Sequence, residues 1–249
     1  MKRIIGIIPA RYASSRFPAK PLIDIQGKSM IRRVYDQVKK SSSLTEVVVA
    51  TDHDQIYNHV LDFGGKVCMT KETHVSGTDR CFEALSLQHE LFDYVINIQG
   101  DEPFIQPEQI DLLAKKLDGL TEIATLVKSI DHEAYLFNPN VVKAVISKDW
   151  KALYFSRSPI PHIRNTEHNL WLSKHNFYKH IGMYAYRSDI LEKLTTLEVS
   201  HLEKAESLEQ LRWLENGFHI AVAETKTETI GIDTPEDLVR ALEHLAGIK

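Results

Sequence analysis

IIGIIPARYASSRFPAKPL, residues 4–22, is the stretch of sequence that decides the fold. Four isoleucines around one glycine, with no polar alternation, are typical of a strand buried on both faces of a parallel sheet. We expect Pro9 to end this strand, and the loop that follows carries Arg11, Arg16 and Lys20 among small residues and prolines. Ligands of open α/β sheets bind at the carboxyl ends of the strands. Three cations in this loop therefore predict an anion site, and triphosphate is the obvious candidate.

The loop differs from the common phosphate-binding motifs. Gly27, Lys28 and Ser29 match the end of a Walker A sequence, but the position that needs its first glycine is Leu22, and the sequence has no G-x-G-x-x-G. A solvated basic loop is the alternative interpretation. The prolines favour a binding loop, because they restrict the unfolded chain and help to hold backbone N–H groups and cations in one place.

The loop resembles the signature of the sugar-activating nucleotidylyltransferases, and its variant PARYASSRFPAKPL is similar to that of the CMP-Kdo synthetases, or 3-deoxy-manno-octulosonate cytidylyltransferases. Further stretches agree in order and span nearly the whole chain: GGKVCMT at 64–70, SGTDR at 76–80, NIQGDEP at 97–103, NPNVVK at 138–143, ALYFSR at 152–157, KHIGMYAYR at 179–187, ESLEQLRWLE at 206–215 and GIDTPEDL at 231–238. The resemblance implies an enzyme that activates 3-deoxy-D-manno-octulosonate (Kdo) with CTP, giving CMP-Kdo and pyrophosphate for lipopolysaccharide biosynthesis.

Composition limits the class of protein. The 249 residues are 43% hydrophobic and 26% charged, which is ordinary for a globular protein and enough for one α/β domain or two small ones. We expect one, and the resemblance implies a single nucleotidyltransferase domain over residues 1–249. A net charge of −4 gives no global basic field for nucleic acid or an anionic membrane. Residues 1–40, in contrast, hold ten Lys and Arg against two Asp. Two cysteines without a C-x-x-C pair, an N-terminal strand in place of a signal peptide and no apolar run near the ~18 residues of a membrane span predict a cytoplasmic protein.

Short apolar runs alternate with helical patterns along the first half of the chain. Strands are predicted at 47–50, 67–69, 94–98 and 123–127, with helices after Ser29, after 51–54, after Ser76 and at 107–117. This alternation predicts an α/β fold with a mostly parallel central sheet. The resemblance implies a Rossmann-like three-layer sandwich of the sugar nucleotidyltransferase type. Strands at 141–146 and 152–155 predict a mainly antiparallel insertion over 138–187, to which the resemblance assigns sugar contacts and part of a homodimer interface.

Two aspartates are the candidate ligands of Mg²⁺. Asp101 follows Gly100 at the end of a predicted strand, and Asp233 lies just before the strong helix start at Thr234 and Pro235. Mg²⁺ takes one or two carboxylates together with substrate phosphates, so both positions suit it. The alternative for Asp101 is a turn, since Gly-Asp and Glu-Pro are turn formers. Whether one or two metal ions bind stays open.

The resemblance assigns the remaining roles around the nucleotide. The expected catalytic residues are Arg11, Lys20, Asp101 and Asp233. In this scheme the two cations neutralise the β- and γ-phosphates, while Mg²⁺ orients the α-phosphate and acidifies the attacking hydroxyl. The implied nucleotide-binding set is Ala10, Arg11, Ser14, Lys20, Ser76, Gly77, Arg80, Gln99 and Asp101. From the residues alone, Ser76 is equally consistent with a helix cap.

A second group of residues is expected to bind the acidic sugar. His180 and Tyr184 lie four apart on a strand predicted at 181–186, so they face the same side and can converge on one ligand. The resemblance implies the set Gln99, Arg157, His180, Tyr184, Glu209 and Gln210, with the Arg157 guanidinium on the sugar carboxylate. Surface exposure is the alternative for Glu209 and Gln210, because they fall off the core face of a helix predicted at 205–216.

Three smaller expectations complete the second half of the chain. Trp171 and Phe177 are either exposed aromatic anchors of an interface or core residues, and the sequence leaves both open. Short strands are predicted at 220–223 and 230–233. The second of these would carry Asp233 at its end.

The sequence leaves two rival functions open. One is a nucleotide-sugar binding or regulatory module without catalysis, although binding alone does not need both carboxylates. The other is the same chemistry on a different sugar acid, such as an 8-amino-3,8-dideoxy-octulosonate or a sialic acid. The side chains around 158–180 that would distinguish these sugars carry no recognisable pattern.

Overall fold

The computed structural model describes residues 2–13, 17–227 and 231–245, without the side chains of 244 and 245. The chain forms two compact units. The first consists of the described residues of 1–111 and 229–249, and the second of those of 112–228. Within these described ranges, no helix has the length and apolar character needed to cross a membrane.

The first unit is built on a parallel sheet. Its strands are β1 (Ile4–Ala10), β2 (Asp24–Ile25), β3 (Lys28–Ser29), β4 (Glu46–Thr51), β5 (Val67–Met69) and β6 (Tyr94–Asn97). β2 and β3 form a small antiparallel hairpin, and the others pair in parallel in the order β6, β1, β4, β5. The isoleucines of β1 are fully or almost fully buried, as a strand covered on both faces requires.

Pro9 does not end β1, contrary to the prediction. The strand continues to Ala10, which pairs with Thr51 of β4, whereas the ladder with β6 extends only from Ile4 to Ile7. At Pro9 the strand therefore has a ladder neighbour on one side only. A proline is tolerated in such an edge-like position because its missing N–H costs no ladder bond on the open side.

Helices follow these strands as predicted, and two of them begin at the predicted caps, Ser29 and Ser76. The helices are α1 (Met30–Val38), α2 (Asp54–Asp62), α3 (Gly77–Ser86) and α4 (Pro107–Ala114), the last shorter than predicted. The N–H of Arg32 donates to Ser29 Oγ at 3.3 Å, and that of Asp79 donates to Ser76 Oγ at 3.1 Å. These bonds satisfy first-turn N–H groups that have no partner within the helix.

The second unit contains most of the antiparallel pairing. Its strands are β7 (Ile123–Ser129), β8 (Lys143–Ile146), β9 (Ala152–Ser156), β10 (Tyr178–Arg187) and β11 (Ile220–Glu224). β11 is parallel to β7, while β10 is antiparallel to β7 and β8, and β8 is antiparallel to β9. Its helices are α5 (Glu133–Phe137), α6 (Trp171–Lys174), α7 (Ser188–Thr195), α8 (His201–Glu206) and α9 (Glu209–Glu215). The chain then returns to the first unit for α10 (Pro235–Leu245).

The predicted fold class is confirmed. The first unit has the parallel α/β sheet, and strands within 138–187 have the antiparallel pairing expected there. The start of α10 is also as predicted, because Asp237 donates its N–H to Thr234 Oγ1 at 3.3 Å. That a single functional domain spans 1–249 stays a prediction.

Two predicted elements are wrong. The helix over 205–216 is broken, because Ser207 takes a left-handed backbone conformation with φ of 52° between α8 and α9. The strand over 230–233 is not formed at 231–233, which is irregular, and Ile230 lies outside the described residues. A backbone hydrogen bond joins this segment to the one that carries Asp101, from the N–H of Ile232 to the carbonyl oxygen of Asp101 at 2.9 Å.

The aromatic pair of the second unit belongs to its core. Trp171 and Phe177 are 2% and 1% exposed, and their rings stack with centroids 6.0 Å apart. Ile130 and Leu136 complete this cluster. Core packing is therefore the correct interpretation of the two that the sequence left open.

Candidate active site

A pocket of about 250 Å³ opens in the first unit where its parallel strands end. Its walls include every predicted nucleotide residue that the structure describes, together with the second predicted metal ligand: Ala10, Arg11, Lys20, Ser76, Gly77, Arg80, Gln99, Asp101 and Asp233. Ser14 and the loop cation Arg16 lie outside the described residues. The pocket thus brings together residues from four separate segments of sequence, while their individual roles stay predictions.

Lys20 links the two carboxylates predicted to bind metal. Its Nζ donates to Asp101 Oδ2 at 2.8 Å and to Asp233 Oδ1 at 3.0 Å. The lysine side chain is 13% exposed, whereas those of Asp101 and Asp233 are 30% and 47% exposed. Two carboxylates that are distant in sequence therefore meet at the ammonium group of Lys20 on the wall of the pocket.

The donor set around this ammonium group fits Mg²⁺. Two carboxylate oxygens already converge on one positive charge, and Mg²⁺ usually completes its shell with phosphate oxygens and water. Within the described ranges there is no cluster of three or more His, Cys, Asp and Glu side chains suited to a metal. A site with two protein carboxylates favours Mg²⁺ held partly by substrate over a fully protein-bound structural metal.

Backbone geometry fixes the approach of Asp101 to β1. A Cβ atom at Gly100 would lie 2.6 Å from the carbonyl oxygen of Pro9, a distance that real side chains do not reach. The carbonyl of Asp101 accepts the N–H of Ile232, which is next to Asp233 in the chain. The separation of the two carboxylates therefore depends on a close backbone contact and on one hydrogen bond between their segments.

Arg80 lies in the pocket wall with its guanidinium already engaged. Nη2 donates to Asp52 Oδ2 at 2.7 Å, Nη1 donates to Thr70 Oγ1 at 2.6 Å, and the residue is only 3% exposed. The other oxygen of Asp52 accepts the N–H of Tyr12 at 3.2 Å. Asp52 thus joins the loop after β1 to α3, and Arg80 helps to hold the shape of the pocket.

His74 is a further residue of the pocket wall, and its imidazole contacts the carboxylate of Glu83. Its Nε2 lies within hydrogen-bond distance of Glu83 Oε2, and the same oxygen accepts the N–H of Lys71 at 2.8 Å. Burial alone would raise the pKa of Glu83, but the bonds from Lys71 and His74 hold that pKa below its ordinary value. The carboxylate is therefore ionised at neutral pH and fixes the orientation of the imidazole.

In the second unit, Arg157 directly follows β9. Its N–H donates to Glu206 Oε2 at 2.9 Å, and its Nε donates to the carbonyl oxygen of Glu206 at 2.7 Å. Nη1 and Nη2 donate to the carbonyl oxygens of Pro139 at 3.2 Å and Ser207 at 3.4 Å. The guanidinium is partly buried and held mainly by backbone carbonyl groups.

His180 and Tyr184 lie side by side on β10, with ring centroids 5.2 Å apart. A bulge between Ile181 and Tyr184 adds two residues opposite β7, and an even number leaves both rings on the same face. Thr125 of β7 places its Oγ1 2.9 Å from His180 Nε2 and 2.9 Å from the carbonyl oxygen of Met183. This hydroxyl supports both the imidazole and the bulge.

Burial determines the charge of both rings. It lowers the pKa of His180 from 6.5 to about 3, and it raises the pKa of Tyr184 well above its ordinary value. Both side chains are therefore neutral at physiological pH. They can exchange hydrogen bonds with sugar hydroxyls but contribute no charge.

Glu209 and Gln210 occupy the first turn of α9, which the break at Ser207 creates. Gln210 is 6% exposed, so the alternative of a surface position is wrong for it. Burial is the largest cause of the raised pKa of Tyr184, and Tyr186 is the next. The negative charge of Glu209 raises that pKa further. Four of the predicted sugar residues, together with Arg157 bonded to Ser207, therefore lie in one region of the second unit. Gln99 lies in the first unit.

A cytidylyltransferase family model matches residues 5–228 of the chain. The chain belongs to the cytidylyltransferase family. A 3-deoxy-manno-octulosonate cytidylyltransferase of Cytophaga hutchinsonii is 59% identical to it over 95% of both chains, and one of Parabacteroides distasonis is 57% identical over 99% of both. A solved structure of CMP:2-keto-3-deoxy-manno-octonic acid synthetase complexed with CTP superposes with a TM-score of 0.91, at 42% identity, over 98% of this chain and 99% of that one.

Three residues that support the candidate sites of this cytidylyltransferase were not predicted from the sequence. Asp52 follows β4 at the same sheet edge as the predicted loop, so its position at a strand end was a usable signal. His74 and Thr125 had no comparable signal. Their roles depend on contacts with Glu83 and with the bulge in β10, which only the folded chain reveals.

Proposed function

We propose that this cytidylyltransferase activates 3-deoxy-D-manno-octulosonate with CTP, giving CMP-Kdo and pyrophosphate for lipopolysaccharide biosynthesis. The anomeric hydroxyl attacks the α-phosphorus, a new P–O bond forms, and the bond to the oxygen that bridges to the β-phosphate breaks. The observation that carries the proposal is the meeting of Lys20, Asp101 and Asp233 on one pocket wall. The names of relatives more than 50% identical to the chain support the choice of base and sugar.

The residues of the pocket contribute mainly charge and position. Arg11 and Lys20 would neutralise the β- and γ-phosphates as negative charge develops on the leaving pyrophosphate. Asp101 and Asp233 would hold the metal ion, beside the Lys20 ammonium group that donates to both carboxylates. Mg²⁺ bound there supplies Lewis-acid polarisation of the α-phosphate and a lower pKa for the attacking hydroxyl. Such a displacement needs no covalent intermediate with the protein.

The second unit would supply the groups that hold the acidic sugar. A planar guanidinium suits a carboxylate, so Arg157 would bind the carboxylate of the octulosonate. His180 and Tyr184 are neutral and would bind hydroxyl groups, with Glu209 and Gln210 beside them. Gln99 would contribute to both the nucleotide and the sugar. We further propose that the protein is a cytoplasmic homodimer with residues 138–187 in its interface. Sedimentation equilibrium would test the dimeric state.

The experiment that tests this function measures pyrophosphate release from CTP and Mg²⁺ with 3-deoxy-D-manno-octulosonate. UTP and ATP replace CTP in parallel reactions, and the 8-amino analogue and a sialic acid replace the sugar. We expect release only with CTP and the octulosonate. Release with another sugar acid alone would keep the chemistry and overturn the substrate. CTP binding without release for any sugar would make the protein a binding module.

A further inference from the structure

Lys143 is a fully buried lysine in β8 that the proposed reaction does not use. Its side chain has no exposed surface, and its Nζ donates to the carbonyl oxygens of Asn138 at 3.0 Å, Val141 at 2.7 Å and Arg157 at 2.5 Å. An ammonium group has three N–H bonds, so these carbonyl groups use all of them. Burial lowers the pKa of Lys143, and the negative charge of Glu206 opposes that shift. Burying an ammonium group is costly, so its presence here needs a reason.

The turn before Lys143 covers residues 138–142 of the NPNVVK stretch. Its carbonyl groups accept hydrogen bonds from other residues besides the lysine. The carbonyl oxygen of Pro139 accepts from Arg157 Nη1 at 3.2 Å, and that of Val142 accepts the N–H of His180 at 2.8 Å. One short turn therefore contacts two of the residues expected to bind the sugar acid. Lys143 closes this turn by bonding to Asn138 and Val141 within it.

Arg157 is held from a second direction by Glu206. The carboxylate of Glu206 accepts the hydroxyl of Ser156 at 2.6 Å and the N–H of Arg157 at 2.9 Å, while its carbonyl accepts Arg157 Nε. Lys143 completes the arrangement by fixing the remaining main-chain group of Arg157, its carbonyl. Both the backbone and the guanidinium of Arg157 are thus oriented by groups that the lysine connects.

We propose that Lys143 is a positioning residue for Arg157 and that it sets the affinity of the enzyme for the carboxylate of its sugar substrate. The inference rests on the proposed function, in which Arg157 binds that carboxylate. Without the ammonium group the carbonyl oxygens of Asn138, Val141 and Arg157 lose this donor, and the turn over 138–142 loses one of its links to the end of β9. Arg157 would then lose its fixed orientation while keeping its charge.

The first test compares Lys143→Met with Lys179→Met. Met is similar in length to Lys but carries neither charge nor donors. Lys179 is a matched control, because it faces Lys143 in the β8–β10 ladder, is also buried and lies over the Tyr135 ring. We expect Lys143→Met to raise KM for the sugar acid about tenfold, as loss of a charge-assisted bond does, with KM for CTP unchanged. Lys179→Met should leave both constants near their original values. An equal rise of both KM values in Lys143→Met would overturn the proposal.

A double-mutant cycle with Arg157→Ala separates positioning from general damage. If Lys143 acts through Arg157, Lys143→Met should change kcat/KM for the sugar less than about twofold once Arg157 has been removed. The same loss in both backgrounds would show that Lys143 acts independently, and the proposal would fail. A purely structural lysine would give that second result.

Folding is checked separately by thermal unfolding of every variant. Lys143→Arg retains the charge and N–H donors, so it serves as a second variant if Met is not tolerated. Its larger planar group cannot reproduce the three bonds, and the sugar KM should again rise alone. If neither variant folds, the lysine is required for folding and the proposal fails. If the wild-type enzyme accepts a different sugar acid, the proposed substrate falls, and the same cycle with that acid still tests Lys143.

Discussion

The pocket of the first unit and the part of the second unit proposed to bind the sugar are built in contrasting ways. We call the second of these the sugar region, and it comprises Arg157, His180, Tyr184, Glu209 and Gln210. The pocket presents partly exposed charged groups, Lys20, Asp101 and Asp233, at the ends of parallel strands. The sugar region presents neutral rings, His180 and Tyr184, on an antiparallel strand. The pocket would therefore act through charges that are available to a highly charged ligand. The sugar region would instead act through groups whose orientation the fold has already set.

The largest expected effect tests the charged region. We expect Asp101→Asn to lower kcat by about 10²–10³-fold, because it removes half of the negative charge available to the metal ion in the transition state. The measurement is pyrophosphate release at saturating CTP and sugar. Asp36→Asn is the control, since Asp36 is a partly exposed carboxylate of the same unit paired with Lys28. If Asp101→Asn retains more than a tenth of the activity, the pocket does not work through this charge.

The next effect tests whether the oriented region carries one essential charge. Arg157→Ala should raise KM for the sugar acid by about ten- to a hundredfold, the range for losing a hydrogen-bonded charge pair. Arg157→Lys should recover only part of the loss, since a lysine lacks the planar fork. Initial-rate kinetics with each substrate varied in turn measure both constants. Full recovery by Arg157→Lys would mean that only the positive charge at position 157 matters for binding the sugar acid, and the contrast between the regions would weaken.

A third test uses pH to examine the neutral character of the sugar region. Burial lowers the pKa of His180 to about 3, so below its ordinary value of 6.5 the unfolded chain binds a proton that the folded chain excludes. The contribution of His180 to the free energy of unfolding is therefore complete above pH 6.5 and falls as the pH is lowered towards 3, by about 2 kcal/mol at pH 5. Denaturant titrations of the wild type and His180→Asn measure it.

In His180→Asn this acid-induced loss of stability should be absent, while His201→Asn, at an exposed position of α8, should keep it. The same pH dependence in wild type and His180→Asn would show that another group is responsible. The neutral state of the imidazole would then lose its support.

The smallest expected effect concerns the charges of the pocket before substrate arrives. Lys20 occupies both carboxylates, so a divalent cation must compete with its ammonium group. Lys20→Met should therefore raise the affinity for Mn²⁺ without nucleotide by about two- to fivefold, since partly exposed ion pairs contribute at most about 1 kcal/mol. Electron paramagnetic resonance of free Mn²⁺ measures it, with Lys28→Met as control. A lower affinity in Lys20→Met would contradict the competition.

Much of the first unit could be predicted because its signals are local. Ser29 and Ser76 are caps beside apolar periodic helices, and β1 is a continuous apolar run. Loops after parallel strands share one edge of the sheet, so Lys20 and Asp101 could be expected to approach each other. The bonds from Lys20 to both carboxylates could not be predicted, because they depend on where the folded chain places the three side chains and not on residue type.

The second unit was less predictable because tertiary contacts override its local signals. Ser207 takes a left-handed conformation that is most common for glycine, and the residues around it carry no signal that predicts the break between α8 and α9. That break is what moves Gln210 into the interior. The bulge in β10 is supported by Thr125 from another strand, and Lys143 is held by carbonyl groups, which every sequence contains.

Gly100 also bears on how variants of this chain should be interpreted. Because any Cβ there would collide with the Pro9 carbonyl, a substitution at position 100 displaces the segment that carries Asp101. A genome survey that counts only the two carboxylates proposed to be catalytic would score such a variant as intact. Position 100 is therefore a better marker than Asp101 itself of inactive copies that have retained every charged residue of the pocket.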